Sequence, residues 1–163
     1  MILSKKYLNE LVDKKKISNV LNEAYLRDSK ARVDYDVFIS YSFNDIKFAK
    51  VIVNMLEEAG FKTYIDVEDQ KLNRNIVNKK TALRIAEQMN KCKALLYLYS
   101  RSSTVSKWCQ WELGYFTGKK NFRCASIPLK DDVEKDYPTQ EYLQIYPYVD
   151  YAKDSDKGNY MFR

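Results

Sequence analysis

At 163 residues, with 45% hydrophobic and 31% charged residues, the chain has the size and balance of one globular domain with a real core. It contains no histidine, which excludes Ser-His-Asp and Cys-His catalysis, H-E-x-x-H metal chemistry and imidazole proton shuttling. Its net charge of +6 comes from scattered Lys and Arg, the densest run being Lys14-Lys15-Lys16, which reads as a solvated helix face rather than a nucleic-acid patch.

Residues 1–32 read as a helical leader. Leu8, Leu11 and Val12 form one apolar cluster at helix spacing, and Ile17, Val20, Leu21, Ala24 and Tyr25 form another. The opening Met1-Ile2-Leu3-Ser4-Lys5-Lys6 then stays charged, unlike a signal peptide. The character changes at Tyr35. Tyr35-Asp36-Val37-Phe38-Ile39-Ser40-Tyr41 is short, β-branched and aromatic, and reads as a buried strand. Asn44 or Asp45 is placed to cap the next helix, whose stripe is Ile46, Ala49, Ile52, Val53 and Leu56 and which Gly60 ends. Phe61-Lys62-Thr63-Tyr64-Ile65 is a second strand, followed by a polar stretch to Asn75 and a helix to about Lys91.

Ala94-Leu95-Leu96-Tyr97-Leu98-Tyr99 is the most apolar strand and is expected at the centre of the sheet. Ser100-Arg101-Ser102-Ser103 caps a third helix running to about Gly118. A fourth strand, Phe122 to Ile127, stops at Pro128. Ile145 to Tyr151 is expected as a fifth, edge strand, where Pro147 is tolerated. Residues 152–163 form a polar tail that is expected to be loose. The alternation predicts an α/β domain over 33–151: a five-stranded parallel sheet of flavodoxin-like order 2-1-3-4-5, with helices on both faces. In that order, ligands bind beyond the carboxyl ends of the first and third strands. Those ends are Ser40-Tyr41-Ser42-Phe43 and Ser100-Arg101-Ser102-Ser103, and the second opens a helix N-terminus that favours an anion.

The four glycines form neither G-x-G-x-x-G nor a P-loop. Cys92, Cys109 and Cys124 are odd in number and form no C-x-x-C pair, so neither a disulfide framework nor a metal site is expected. That points to a reducing compartment, and with no stretch near the roughly 18 apolar residues of a membrane span the expected location is cytoplasmic.

The sharpest signal lies in the third helix: Ser106-Lys107-Trp108-Cys109-Gln110-Trp111-Glu112-Leu113-Gly114. Trp108 and Glu112 are four apart and share a face. A carboxylate beside an indole is partly desolvated, which strengthens its electrostatic effect. Spacing alone leaves open a structural Glu paired with Arg or Lys.

Two segments carry a resemblance. Tyr35-Asp36-Val37-Phe38-Ile39-Ser40-Tyr41-Ser42 is similar to the first box of TIR domains, and Ser106-x-Trp108-Cys109-x-x-Glu112-Leu113 is similar to their Trp-Cys-x-x-Glu-Leu segment. Tyr64-Ile65-Asp66 sits where the family has its second strand and the start of a variable loop. The resemblance implies the sheet order above. In the family's enzymatic branch it implies cleavage of NAD⁺, as substrate rather than cofactor, at the nicotinamide–ribose bond, with Glu112 on the essential glutamate position. By the same analogy Ser42 and Phe43 line the nicotinamide pocket, Lys71 in the loop meets a phosphate, and Trp108 packs against the ribose or a ring, although a core tryptophan is an equal reading. The loop Leu72-Asn73-Arg74-Asn75 lacks the glycine many family members have there, which puts loop-mediated assembly into a homo-oligomer in question.

A small TIR domain with a helical leader resembles the signal-generating proteins of Thoeris-type bacterial anti-phage defence. That implies an ADP-ribose-derived, cyclic or otherwise modified messenger acting on a separate effector protein. Two rivals stand beside this reading. One is a non-enzymatic TIR adaptor working by homotypic contacts. The other is an enzyme like the nucleoside deoxyribosyltransferases, which share the fold class and a glutamate acting at an anomeric carbon.

Overall fold

The computed structural model describes residues 3–9, 35–69, 72, 77–130, 140–147, 149, 151–153 and 160–162. Its elements are strands β1 (Leu3–Ser4), β2 (Tyr35–Ser40), β3 (Thr63–Tyr64), β4 (Cys92–Tyr99), β5 (Cys124–Lys130), β6 (Tyr151–Lys153) and β7 (Tyr160–Phe162), with helices α1 (Ile46–Glu58), α2 (Lys79–Asn90), α3 (Arg101–Thr104) and α4 (Lys107–Lys119). The main sheet is parallel in the order β1-β5-β4-β2-β3. The inner order is the expected one, and β4, the most apolar strand, sits in the middle.

Period-two alternation divides the core. Ile39, Tyr41, Leu96, Leu98, Ile127 and Leu129 face α1, together with Leu8 of the helical residues 5–9. Phe38, Leu95, Tyr97, Tyr99 and Cys124 pack instead with Ile85 and Met89 of α2 and Cys109, Leu113 and Phe116 of α4. Both faces of the sheet are therefore covered, as a parallel sheet requires.

Helix α1 stops as Gly60 predicts. Gly60 takes φ +89°, its N–H bonds to Glu57 O, and the Phe61 N–H bonds to Leu56 O, which is the Schellman pattern. Helix α2 starts where the Asn78 side chain accepts from the Thr81 N–H at 2.9 Å.

Four expectations are corrected. The third helix is two: α3 ends at Thr104, exposed Val105 follows, and Ser106 restarts the chain as the cap of α4, accepting from the Cys109 N–H. A fresh cap inside the sequence lets the chain turn without leaving helical N–H groups unbonded.

The leader is not helical from its start, because Leu3–Ser4 pairs in register with Leu129 and Lys130 of β5. Residues 5–9 are helical, and the rest of the leader lies outside the described residues.

The expected fifth, edge strand over Ile145–Tyr151 is met in part: its first residue closes a 3₁₀ turn, and Pro147 and Val149 beyond it hydrogen-bond to β5. Glu141–Ile145 is a 3₁₀ turn. Ser126 N–H then bonds to Pro147 O and Val149 N–H to Ser126 O, so this segment meets the start of β5 while β1 meets its end. Strand β5 also runs through Pro128 to Lys130. Pro128 lies two residues after Ser126, so the N–H it lacks would point to the same side, where the edge passes from one neighbour to the other.

Finally, the tail is not loose throughout. Tyr151 pairs with Phe162 and Lys153 with Tyr160 in an antiparallel ladder.

Candidate active site

Strands β2 and β4 are neighbours, and the chain leaves them towards opposite sides of the sheet, so their carboxyl ends flank the switch point of the fold. Ser40, the last residue of β2, shares the strand face of Phe38 and so points towards α4. There its hydroxyl donates to Glu112 Oε2 at 2.6 Å. Both side chains are fully buried.

Glu112 reaches this place because it lies on the inner stripe of α4, with Cys109, Leu113 and Phe116 at helical spacing. Taking a carboxylate out of water is costly, and a hydrogen bond from a fixed hydroxyl offsets part of that cost. A carboxylate so placed exerts a strong field on any cation brought beside it.

The other expected residues fall at different places. Ser42, buried, and Phe43, 76% exposed, stand in the 3₁₀ turn that follows β2. Tyr41 is buried against α1, on the face of the sheet opposite Glu112, so the structure does not bring it to the carboxylate. Trp108, one turn before Glu112, is half-buried against the α2/α4 core. It meets Trp111 edge-on at 5.6 Å, and Trp111 stacks on Tyr115 at 5.5 Å, giving α4 an aromatic outer flank. Lys71 lies outside the described residues.

The loop after β3 is anchored at its start. Tyr64 donates to Asp69 Oδ2 at 3.1 Å and Arg84 of α2 donates to the same oxygen at 2.8 Å. Burial, and then the Asp69 charge, push the Tyr64 phenol far above its ordinary range, so it stays a donor.

One position departs from the cap role that its local spacing predicts. Asp45 was a candidate cap of α1, but it makes no side-chain cap bond. Instead it is 2% exposed and accepts from the Ser100 hydroxyl at 2.5 Å, with Lys5 Nζ 4.0 Å from its other oxygen. Ser100 does cap α3, in a reciprocal capping box with Ser103. That box uses the Ser103 N–H, one of the first-turn donors of the helix end that favours an anion. The only signal for Asp45 was an acidic residue three positions after the first box, which local spacing assigns to a cap.

A covered parallel sheet with a buried glutamate at its switch point, framed by these two boxes, defines the class. The family profile described as TIR domain matches residues 37–161, and the chain belongs to that family. Over 133 residues it is 41% identical to a protein of Bacillus cereus (strain MSX-D12) named "Probable 3' cyclic ADP-D-ribose synthase ThsB'", a match spanning 80% of this chain and 68% of that protein. Among solved structures it is similar to the TIR domain of the Toll-related receptor TRR-2 from Hydra magnipapillata, with TM-score 0.50 and 18% identity over 70% of this chain and 83% of that one. It is also similar to a metazoan TIR-STING receptor from C. gigas, with TM-score 0.51 and 19% identity over 70% of this chain and 37% of that one. At such identities the two structures speak for the fold alone.

Proposed function

We propose that this protein cleaves NAD⁺ at the nicotinamide–ribose bond and converts the ADP-ribose portion into a cyclic signalling nucleotide in bacterial anti-phage defence. The observation that carries the reading is Glu112, buried at the switch point and held by Ser40, in a chain 41% identical to the Bacillus cereus synthase.

The chemistry suits a site without histidine. Nicotinamide leaves as a neutral molecule from a cationic pyridinium, taking the C1′–N electron pair, so no general acid is required. Glycosidases need a second carboxyl because their leaving oxygen must be protonated. Here one fixed carboxylate orients the ribose hydroxyls and stabilises the oxocarbenium-like transition state more than the ground state. Phe43 and Trp108 are placed on the two segments that frame this carboxylate and supply apolar walls.

The cationic carbon is then captured by a hydroxyl or ring nitrogen of the same molecule. A captured hydroxyl gives up its proton to solvent or to a site carboxylate. Tethered nucleophiles reach effective molarities of about 10⁵ M or more, and exclusion of water from the closed site favours this route over hydrolysis. The product diffuses to a separate effector protein, and the reaction takes place in the cytoplasm. Among the described residues no helix is long and apolar enough to cross a membrane.

The test incubates activated protein with NAD⁺ and resolves products by chromatography and mass. Nicotinamide together with a product isomeric with cyclic ADP-ribose is expected. Nicotinamide with plain ADP-ribose as the sole partner would replace the messenger by simple NAD⁺ depletion. Absence of nicotinamide from the activated protein would overturn the reading in favour of a non-enzymatic adaptor.

A further inference from the structure

The two strands at the switch point are tied to each other's following segments. Strand β2 ends in Ser40, whose hydroxyl donates to Glu112, a residue that follows β4. Strand β4 ends at Tyr99, and Ser100 immediately after it donates to Asp45, a residue that follows β2. Each strand end thus sends a serine hydroxyl to a buried carboxylate supplied by the other strand's connection.

The second tie continues towards the first. The Ser100 hydroxyl that donates to Asp45 also accepts from the Ser103 N–H at 3.1 Å, and the Ser103 hydroxyl accepts from the Ser100 N–H at 2.9 Å. Helix α3 is therefore fastened at its first turn. Two residues beyond its end, Ser106 opens α4, and the Ser106 N–H bonds back to Ser103 O. Helix α4 then carries Glu112. A closed circuit of covalent and hydrogen bonds runs from Asp45 through Ser100, α3 and α4 to Glu112, and through Ser40 back along the chain to Asp45.

Burying Asp45 is unfavourable for folding unless its carboxylate is used. It makes no side-chain bond to cap α1, and packing alone would be served better by an apolar residue. Its bond to Ser100 spans 55 positions of sequence and joins the two segments that frame the site. From this we propose that Asp45 is a positioning residue for the reaction at Glu112, acting through Ser100 by holding the start of α3, and with it the register of α4, against the end of β2. The proposal rests on the NAD⁺-cleaving reading given above.

The experiment first establishes nicotinamide release by the parent protein, then compares Asp45→Ala, Asp45→Asn, Ser100→Ala and the Asp45→Ala/Ser100→Ala double variant. Residues that act as a unit show non-additive losses. Asp45→Ala and Ser100→Ala are each expected to lower kcat about tenfold with KM within about twofold, the scale of losing a hydrogen bond to a charged group. The double variant should fall no further than the worse single one, and Asp45→Asn, whose amide oxygen still accepts from Ser100, should recover most of kcat. A purely structural Asp45 would lower the unfolding midpoint without separating kcat from KM.

Folded variants with parental kcat, a loss confined to KM, or single losses that multiply would each overturn the proposal. Should Asp45→Ala fail to fold, Ser100→Ala and Asp45→Asn carry the same comparison. Amide hydrogen exchange supplies an arm free of NAD⁺. Faster exchange across residues 106–112 in Ser100→Ala is expected, and unchanged protection there would overturn the brace. A parent that releases no nicotinamide defeats the functional reading, and the exchange arm then still decides whether the brace exists.

Discussion

The adjacent strands β2 and β4 carry a carboxylate pairing at each end, and the two ends have opposite characters. At the amino end, Asp36 accepts from Lys93 Nζ at 2.8 Å and from the Lys62 backbone N–H at 2.9 Å. Its side chain is 26% exposed and that of Lys93 is 71% exposed. At the carboxyl end, Glu112 is fully buried and accepts from Ser40. The outer pairing is strong by formal charge, yet water screens it and holding a long Lys side chain in place costs entropy. The inner pairing is with a neutral hydroxyl, yet it sits where the effective dielectric is low and the groups are already fixed. Charge alone therefore does not mark the site; fixed placement away from water does.

Substitutions at the two ends should separate them. Glu112→Gln has the largest expected effect: at least about 100-fold loss of NAD⁺ turnover, the scale of removing a main electrostatic stabiliser. The fold should survive, because the amide oxygen can still accept from Ser40. Steady-state kinetics beside a circular dichroism melt would check both, and near-normal turnover in a folded variant would remove Glu112 from the mechanism.

Ser40→Ala comes next. It keeps the charge and deletes the bond that aims it, so kcat should fall about tenfold. Ser40→Thr, which retains the hydroxyl, should lose less. Equal losses for the two variants would show that bulk at the end of β2, and not the hydroxyl, matters.

Asp36→Asn has the smallest expected effect. Turnover should be unchanged, and stability should fall by no more than about 1 kcal/mol at neutral pH. The sign with pH follows from the carboxyl itself. The Lys93 ammonium, and then the Lys62 N–H, hold it below the ordinary carboxylate range in the folded chain. The pair's contribution is therefore complete above about pH 5 and fades as pH falls through the folded value. Urea midpoints of parent and variant should differ most at neutral pH and converge as pH falls through the folded carboxyl's lowered value, and a gap that widens in acid would contradict the assignment.

Much of this protein was legible from local sequence because local physics governs it. The buried character of Tyr35–Ser40, the central place of the 94–99 run, the stop at Gly60 and the cap Ser100 follow from side-chain period, chain entropy and orphan helix N–H groups, all set within a few residues. Glu112 was pointed to by the resemblance of the two boxes to the family, since spacing alone left a structural Glu open. Tertiary structure alone decided the rest. Tyr41 and Ser40 are adjacent in sequence, but the pleat turns one to α1 and the other to Glu112. The outer edge of β5 is shared, because backbone groups along a strand accept any extended segment that reaches them: Leu3–Ser4 pairs with its end, while Pro147 and Val149 bond to Ser126 near its start. Asp45 was assigned to a cap because capping is a local rule. Its actual partner lies 55 positions away, and only the closing of the parallel sheet brings the ends of β2 and β4 within hydrogen-bond distance of each other's following segments.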